Sequence, residues 1–262
     1  DLGAGVHALE VQRVGADVRR RVDDAARQRR DLARVRRLPL GELVRESLEH
    51  GKDVLCEKPL ALNSRQAEEL VGLAQARERI LMVGHTFLFN KGIQQLRAYV
   101  TEGLLGKLYY LHSSRTNLGP IRDDADVVWD LASHDVSIFS YLLGAQPTAV
   151  PAKGESYLRK GIADVAYISL SYPPNILANI HVSWIHPQKV RSITIVGDKK
   201  MVAWDDLNNN EPIRIYDKGV TQEPYYESYG EFQLLLREGD VVMPKLHLAE
   251  PLKVQSQHFV DS

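Results

Sequence analysis

Residues 50–62, HGKDVLCEKPLAL, decide how this chain folds. Gly51 is suited to end a helix, and the apolar run from Asp53 to Cys56 predicts a short buried strand. A second apolar run, Ile80 to Val83, predicts another strand, and amphipathic helical spacing precedes, separates and follows the two runs. Strands and helices therefore alternate, which is typical of a parallel sheet covered by helices.

Beyond Gly106 the pattern changes to a series of strands with few helices between them. Residues 165–171 and 176–184 alternate apolar and polar side chains, and turn residues separate them from further strands. A helix is predicted over 130–143, ending at Gly144. This part of the chain predicts a large, mostly antiparallel open sheet with helices beside it.

The fold class that follows is α/β, in two domains. We expect an incomplete Rossmann-type, dinucleotide-binding domain over residues 1–105, of which 1–42 is degenerate or incomplete. We expect an α+β domain over 106–262 that binds substrate and mediates oligomerisation. An open sheet with one apolar face can pack against a second copy, so a homo-oligomer formed through this sheet is expected.

Composition narrows the possible partners. The 262 residues carry a formal net charge of −1, which provides no global field for nucleic acid or an anionic membrane. A single cysteine, Cys56, rules out an internal disulfide, and together with the lack of a membrane-length apolar run it favours a cytoplasmic protein. We expect no metal site, because His181 and His186 are five apart and would lie on opposite faces of a straight strand.

Lys58 directly follows the first predicted strand, where α/β sheets commonly bind ligands. Pro59 biases Lys58 away from helix and holds it extended. Partial desolvation at such a position would lower the proton affinity of the lysine amine. The alternative is a surface lysine that merely pairs with Glu57.

Asp130 and His134 are spaced i, i+4 in the predicted helix and would share a face. A carboxylate one turn from an imidazole can orient it and raise its basicity. The alternative is a helix-start aspartate and a histidine whose hydrogen bonds are satisfied within the fold. The polar loop from Arg115 through Asn117 suits a polyhydroxyl or phosphorylated ligand, with a solvated loop as its alternative.

Gly3 and Gly5 begin a G-x-G-x-x-A segment, and Asp23 lies 20 residues after Gly3. A dinucleotide fingerprint has this form but needs a strand before the glycines, which two residues cannot supply. Chance occurrence is the alternative.

Together these segments resemble the glucose–fructose oxidoreductase, inositol dehydrogenase and rhizopine catabolism (Gfo/Idh/MocA) family. HGKDVLCEKPLAL is similar to its strand with a Glu-Lys-Pro signature, and WDLASHDVSIFSYLLG to its Asp-x-x-x-His helix. SSRTNLGPIRDDADVVWDLASHD and EPLKVQSQHF resemble members that act on UDP-N-acetylglucosamine derivatives at C3. The resemblance implies an NAD(P)-dependent dehydrogenase acting on a secondary alcohol of a sugar or nucleotide sugar.

The resemblance also implies residue roles. Lys58 would hydrogen-bond the reacting hydroxyl close to the nicotinamide, His134 would accept its proton, and Asp130 would support His134 or hold the sugar. Arg115 and Asn117 would touch substrate or cofactor.

The cofactor implied is NAD, with NADP possible. Gly3 and Gly5 would bind it at the first turn, and Asp23, if it ends the second strand, would bind its ribose hydroxyls. Glu57 with Lys58 would lie beside its ribose and nicotinamide. Ala8 replaces the third glycine of the family's turn, the first strand is missing, and residues 24–42 are too short for two further Rossmann strands. The chain thus resembles a member truncated at both ends, and a catalytically inactive sugar- or nucleotide-binding member is the alternative function.

Overall fold

The computed structural model describes residues 40–61, 63–119, 121–122, 125–224 and 232–262. Gly3, Gly5 and Asp23, and with them the predicted dinucleotide turn, lie outside these ranges. None of the helices within them is long and apolar enough to cross a bilayer.

The helical elements of the described chain comprise five α-helices, one 3₁₀ turn and one π-helical turn. In chain order they are α1 (Leu40–Glu49), α2 (Ser64–Ala76), the 3₁₀ turn Thr86–Phe89, α3 (Lys91–Thr101), the π-helical turn Val128–Ala132, α4 (Ser133–Leu143) and α5 (Pro251–Asp261).

The strands fall into one large sheet and two small ones. They are β1 (Val54–Cys56), β2 (Leu81–Val83), β3 (Leu108–Thr116), β4 (Ala152–Glu155), β5 (Val165–Tyr172), β6 (Ile176–Ser183), β7 (Val190–Gly197), β8 (Met201–Asp205), β9 (Ile213–Tyr216), β10 (Gly219–Pro224), β11 (Phe232–Arg237) and β12 (Val241–Val242).

The chain forms two compact units. Of the described residues, the first unit comprises 40–56, 60–61 and 63–82, and the second comprises 57–59 and those from 83 onward. This division comes earlier than the boundary at 105/106 that the sequence suggested. The reason is that α3 buries Ile93 and Leu96 in the core of the second unit, so it packs with the large sheet.

In the first unit, hydrogen-bonded neighbours β1 and β2 are joined through α2, which confirms the Rossmann-type strand–helix–strand order. Gly51 follows α1 with φ +69°, the left-handed conformation that glycine adopts without a Cβ penalty. Asn63 caps α2 by accepting a hydrogen bond from the backbone N–H of Gln66 at 2.9 Å. Buried Leu48 and Leu70 show that the two helices turn apolar faces inward.

The large sheet of the second unit has eight strands in the order β12-β9-β8-β7-β3-β6-β5-β4. Its neighbouring pairs are antiparallel except β3 and β6, which run parallel, so the predicted mostly antiparallel sheet is confirmed. Thr116 pairs with both Ser183 and Val190, so the carboxyl ends of β3 and β6 meet the start of β7 at one end of the sheet. Functional side chains can therefore gather at that end.

One face of this sheet carries the core. Alternate residues such as Ile180, Val182 and Ile195 are buried against Phe139 of α4 and Leu96 of α3. Burying a side chain of this size is worth about 1.5–3 kcal/mol, and such burial fixes the helices on the sheet. Outward-facing residues of the same sheet, including Tyr110, Tyr167 and Leu177, are exposed.

Candidate active site

Lys58 is held inside the second unit rather than on the surface. Its Nζ donates to the backbone carbonyl of Asp130 at 2.5 Å and lies 3.4 Å from the Asp130 Oδ1 atom. The Lys58 side chain is only 14% exposed. Lys58 thus forms an ion pair with Asp130, 72 residues away. The alternative of a surface lysine that merely pairs with the neighbouring Glu57 does not hold.

Asp130 lies in the π-helical turn, with α4 beginning three residues later. Its Oδ2 accepts a hydrogen bond from the indole N–H of Trp184 at 3.1 Å, and its Oδ1 lies 3.5 Å from Nη1 of Arg122. The expected support of His134 by Asp130 is wrong for this conformation. The i, i+4 argument assumed one α-helix, whereas the π-helical turn changes the register and the carboxylate turns to Lys58 and Trp184.

His134 is a largely buried imidazole in the first turn of α4. Its Nδ1 atom is buried and has no hydrogen-bond partner among the described residues, so the alternative of a satisfied histidine does not hold. Burial lowers the pKa of His134 to about 3, with further contributions from the charges of Arg115, Lys58, His85 and Arg191. The predicted rise in basicity is therefore also wrong, and the ring is neutral at physiological pH.

His85 is a second imidazole beside these groups, and sequence reasoning missed it. It follows β2 after Gly84, just as Glu57 and Lys58 follow β1. Its Nδ1 is buried without a partner in the described part of the chain. Burial lowers the pKa of His85, and the charge of Lys58 lowers it further. The strand-end argument applied to β1 would have found it at β2.

Arg115 is buried and paired, at 4% exposure. Its Nε and Nη2 atoms donate to the two carboxylate oxygens of Asp135 at 2.8 and 3.1 Å. The guanidinium also lies over the ring of Phe87, 4.2 Å from its centroid, and Phe87 meets the His134 ring edge-on at 5.0 Å. Arg115 thus organises the wall behind His134, and its contact with substrate stays a prediction.

Asn117 and Glu57, the other predicted site residues in the described ranges, are close in sequence to Arg115 and Lys58. Their side chains make no contact there that assigns them a role. The backbone N–H of Asn117 donates to the carbonyl of Ser183 at 3.0 Å, which places Asn117 just past the ends of β3 and β6. Glu57 is exposed. Their contacts with substrate and cofactor remain predictions.

A cavity of about 430 Å³ lies beside Phe87, and all the residues that line it belong to the second unit. Its lining includes Phe87, Arg191 and Asp206, and Asp206 accepts from Arg191 at 3.3 Å and from Asn90 at 3.2 Å. Phe87 lines the cavity and also contacts the His134 ring. Arg191 lines the cavity as well, and its charge contributes to the lowered pKa of His134. The cavity is therefore a neighbour of the imidazole and large enough for a small ligand.

No cluster of three potential metal ligands occurs in the described ranges. His181 stacks on Tyr167 at 4.5 Å and approaches His186 to 6.4 Å between ring centroids. The two histidines are closer than a straight strand would allow, because β6 ends at Ser183 before His186 is reached.

The lowered pKa of His134 makes stability depend on pH. In the unfolded chain His134 binds a proton below about pH 6.5, whereas in the folded chain it does so only near pH 3. The contribution of the neutral ring to the free energy of unfolding is therefore complete above pH 6.5 and is lost as the pH falls towards 3. We expect His134 to account for a loss on the order of 2 kcal/mol between pH 7 and pH 5. Urea unfolding at both pH values measures it. A His134→Asn variant that loses stability in parallel with the parent would contradict this.

Two family models match the chain. One is described as an oxidoreductase family, NAD-binding Rossmann fold, and matches residues 40–85; the other is the GFO/IDH/MocA C-terminal domain and matches residues 93–203. The two matches follow one another along the chain, in the same order as the two units.

Individual relatives agree with these matches. The chain is 30% identical over 181 residues to a UDP-N-acetylglucosamine 3-dehydrogenase of Acidithiobacillus ferrooxidans, covering 68% of this chain and 55% of that protein. It is 27% identical over 192 residues to a myo-inositol 2-dehydrogenase of Thermotoga maritima, covering 68% and 57%. The chain thus spans about half the length of the curated relatives it matches.

Solved structures show the same architecture. A structure of the Acidithiobacillus ferrooxidans enzyme superposes with a TM-score of 0.64 at 25% identity, covering 86% of this chain and 67% of that one. An inositol dehydrogenase homologue from Azotobacter vinelandii, complexed with NADH and myo-inositol, gives 0.65 at 20% identity over 84% and 61%, which is evidence for the fold alone. With both family models matched in order, the chain belongs to the GFO/IDH/MocA family of oxidoreductases.

Proposed function

We propose that this chain carries the active site of an NAD-dependent dehydrogenase that acts on a secondary alcohol of a sugar or nucleotide sugar. The observation that supports this most is that the Lys58 ammonium bonds Asp130 while His134, whose pKa the charge of Lys58 helps to lower, keeps a buried Nδ1 atom without a partner among the described residues. A hydrogen-bond donor and a candidate proton acceptor are thus present in one unit, and we propose that they serve one hydroxyl group.

The residues present fit a nicotinamide dinucleotide. His85 and His134 each keep a buried ring nitrogen without a partner among the described residues, and Glu57 is exposed at the end of β1. We propose that Glu57 lies beside the ribose, that Gly3 and Gly5 belong to the first turn, and that Asp23 binds the ribose hydroxyls. When bound, the nicotinamide ring supplies the hydride acceptor or donor.

The protein's own part is to hold the alcohol and move its proton. Lys58 would donate a hydrogen bond to the alcohol oxygen and stabilise the negative charge that develops there. His134 would accept the hydroxyl proton, and it is available to do so because its lowered pKa keeps it neutral. Asp130 acts on Lys58 instead of on His134.

The cavity beside Phe87 would take the rest of the substrate. Four charged residues line it, Lys91 and Arg191 against Asp206 and Glu250, so their charges cancel. A polar but uncharged ring suits such a lining, with hydroxyl groups bonding the polar side chains and one face on the aromatic ring. Relatives named for myo-inositol and for UDP-N-acetylglucosamine give the two ligands to test first.

Titration of the chain with NADH, followed by fluorescence, tests the cofactor half of the proposal. We expect saturable binding. No binding at millimolar NADH would overturn the dehydrogenase proposal and favour the catalytically inactive binding protein.

We also propose that copies of the chain associate through the open sheet face. A cytoplasmic location completes the proposal, and the single cysteine, Cys56, is consistent with it.

Replacing Lys58 by Met tests the substrate half. We expect the rate of sugar oxidation to fall by about a hundredfold, the usual effect of removing a charged donor to a developing oxyanion. Exposed Lys153 offers a matched control, since Lys153→Met removes the same charge at 83% exposure. Equal rates for the two variants would remove Lys58 from this role.

A further inference from the structure

Trp184 is a buried residue whose indole N–H is hydrogen-bonded to the carboxylate of Asp130. It follows β6, is 2% exposed, and its Nε1 donates to the Oδ2 atom of Asp130 at 3.1 Å. Its backbone N–H donates to the carbonyl of Asp164 at 2.9 Å. The backbone of Trp184 is therefore fixed next to the start of β5, and its ring is bonded to the π-helical turn.

The two oxygens of Asp130 have different partners. Oδ2 is bonded by the neutral indole, whereas Oδ1 lies near the cations of Lys58 and Arg122. Because a carboxylate is planar and rigid, a bond that holds Oδ2 also sets where Oδ1 points. A hydrogen bond to an ionised group is about twice as strong as one between neutral groups, so the indole is a firm anchor.

The backbone around Asp130 needs such an anchor. Lys58 is also bonded to the carbonyl of Asp130, and that carbonyl belongs to the π-helical turn Val128–Ala132. A π-helical turn interrupts the regular α-helical bonding pattern. The indole bond ties this turn to the end of β6, at the end of the sheet where β3 also ends.

We propose that Trp184 is a positioning residue that fixes the ammonium of Lys58 by holding Asp130. Its catalytic consequence rests on the proposed dehydrogenase function. The contact itself does not, so it can be tested without cofactor, substrate or activity.

Indole N–H resonances of the ¹⁵N-labelled chain test the contact. The chain has three tryptophans, and Trp204 is as buried as Trp184, at 2%. In an Asp130→Asn variant we expect the Trp184 indole proton to shift upfield and to exchange faster with solvent, while that of Trp204 stays in place. In Lys58→Met a smaller shift of the same resonance is expected. An unchanged Trp184 resonance in both variants would overturn the proposal.

Paired substitutions test the consequence. Trp184→Phe keeps a ring but removes the N–H, and we expect kcat for sugar oxidation to fall about tenfold, with the KM for NAD unchanged. Tyr172→Phe, which likewise keeps a buried ring and removes one hydrogen-bonding group, the hydroxyl near Ser140, is the matched control and should alter stability without altering kcat. A purely structural role for Trp184 would instead give the two variants the same kinetic behaviour, which overturns the inference.

Combining the changes separates the inference from the proposed function. If Trp184 acts through Asp130, Trp184→Phe should lower kcat no further in an Asp130→Asn background. Effects that multiply would contradict this. If the parent chain binds NADH but oxidises no sugar, the proposed function fails while the indole resonances still decide whether Trp184 holds Asp130.

Discussion

Replacing His134 with asparagine is expected to lower the rate of sugar oxidation by about 10²–10⁴-fold, the usual contribution of a positioned general base. The physical reason is that His134 combines a lowered pKa, a buried ring nitrogen without a partner among the described residues and the nearby charge of Lys58. His85 shares these features. Initial rates of NADH formation at saturating NAD measure the effect.

His186→Asn is the control for this experiment. His186 lies past β6, where its ring meets that of His181 and its Nδ1 lies 2.9 Å from the carbonyl oxygen of Gln188. We expect this variant to keep the parent rate. A His134→Asn enzyme within about tenfold of the parent would show that His134 is not the base.

Asp135→Asn is expected to have the largest effect on stability. It leaves the guanidinium of Arg115 buried without its counter-charge, and breaking a buried pair in this way costs about 3–5 kcal/mol. The free energy of unfolding in urea measures the loss. Because Arg115 lies over Phe87, the variant should also disturb the wall behind His134.

An exposed ion pair provides the matched comparison. Arg214 and Glu211 lie 3.2 Å apart with both side chains 46% exposed, so Glu211→Gln should change the free energy of unfolding far less than Asp135→Asn. Similar losses for Asp135→Asn and Glu211→Gln would show that the Arg115 pair is not a structural element of the core.

The sequence predicted the fold where periodicity is strong. The short strands around Leu55 and Met82 and the alternation along β5 and β6 follow from apolar spacing, and Gly144 ends α4 with φ +62° as its position suggested. The unit boundary was less predictable, because the amphipathic pattern of α3 shows that one face is buried but not against which sheet.

The site was predicted in its members but not in its contacts. Strand-end and helix-spacing arguments singled out Lys58, Asp130 and His134, and the structure brings all three into one unit. The spacing argument failed for the Asp130–His134 interaction because nothing in the local sequence distinguishes a π-helical turn from an α-helical one. The indole of Trp184 could not be found either, since its bond to Asp130 joins residues 54 apart.

The central claim is that Lys58 and His134 serve one alcohol group whose carbon gives up a hydride to NAD. Incubation of the chain with NAD and a sugar deuterated on its carbons, using myo-inositol and UDP-N-acetylglucosamine in turn, followed by mass spectrometry of the cofactor, tests it most directly. We expect deuterium in the NADH formed by the parent chain and far less with His134→Asn. Cofactor that binds but stays free of deuterium with both sugars would contradict the claim.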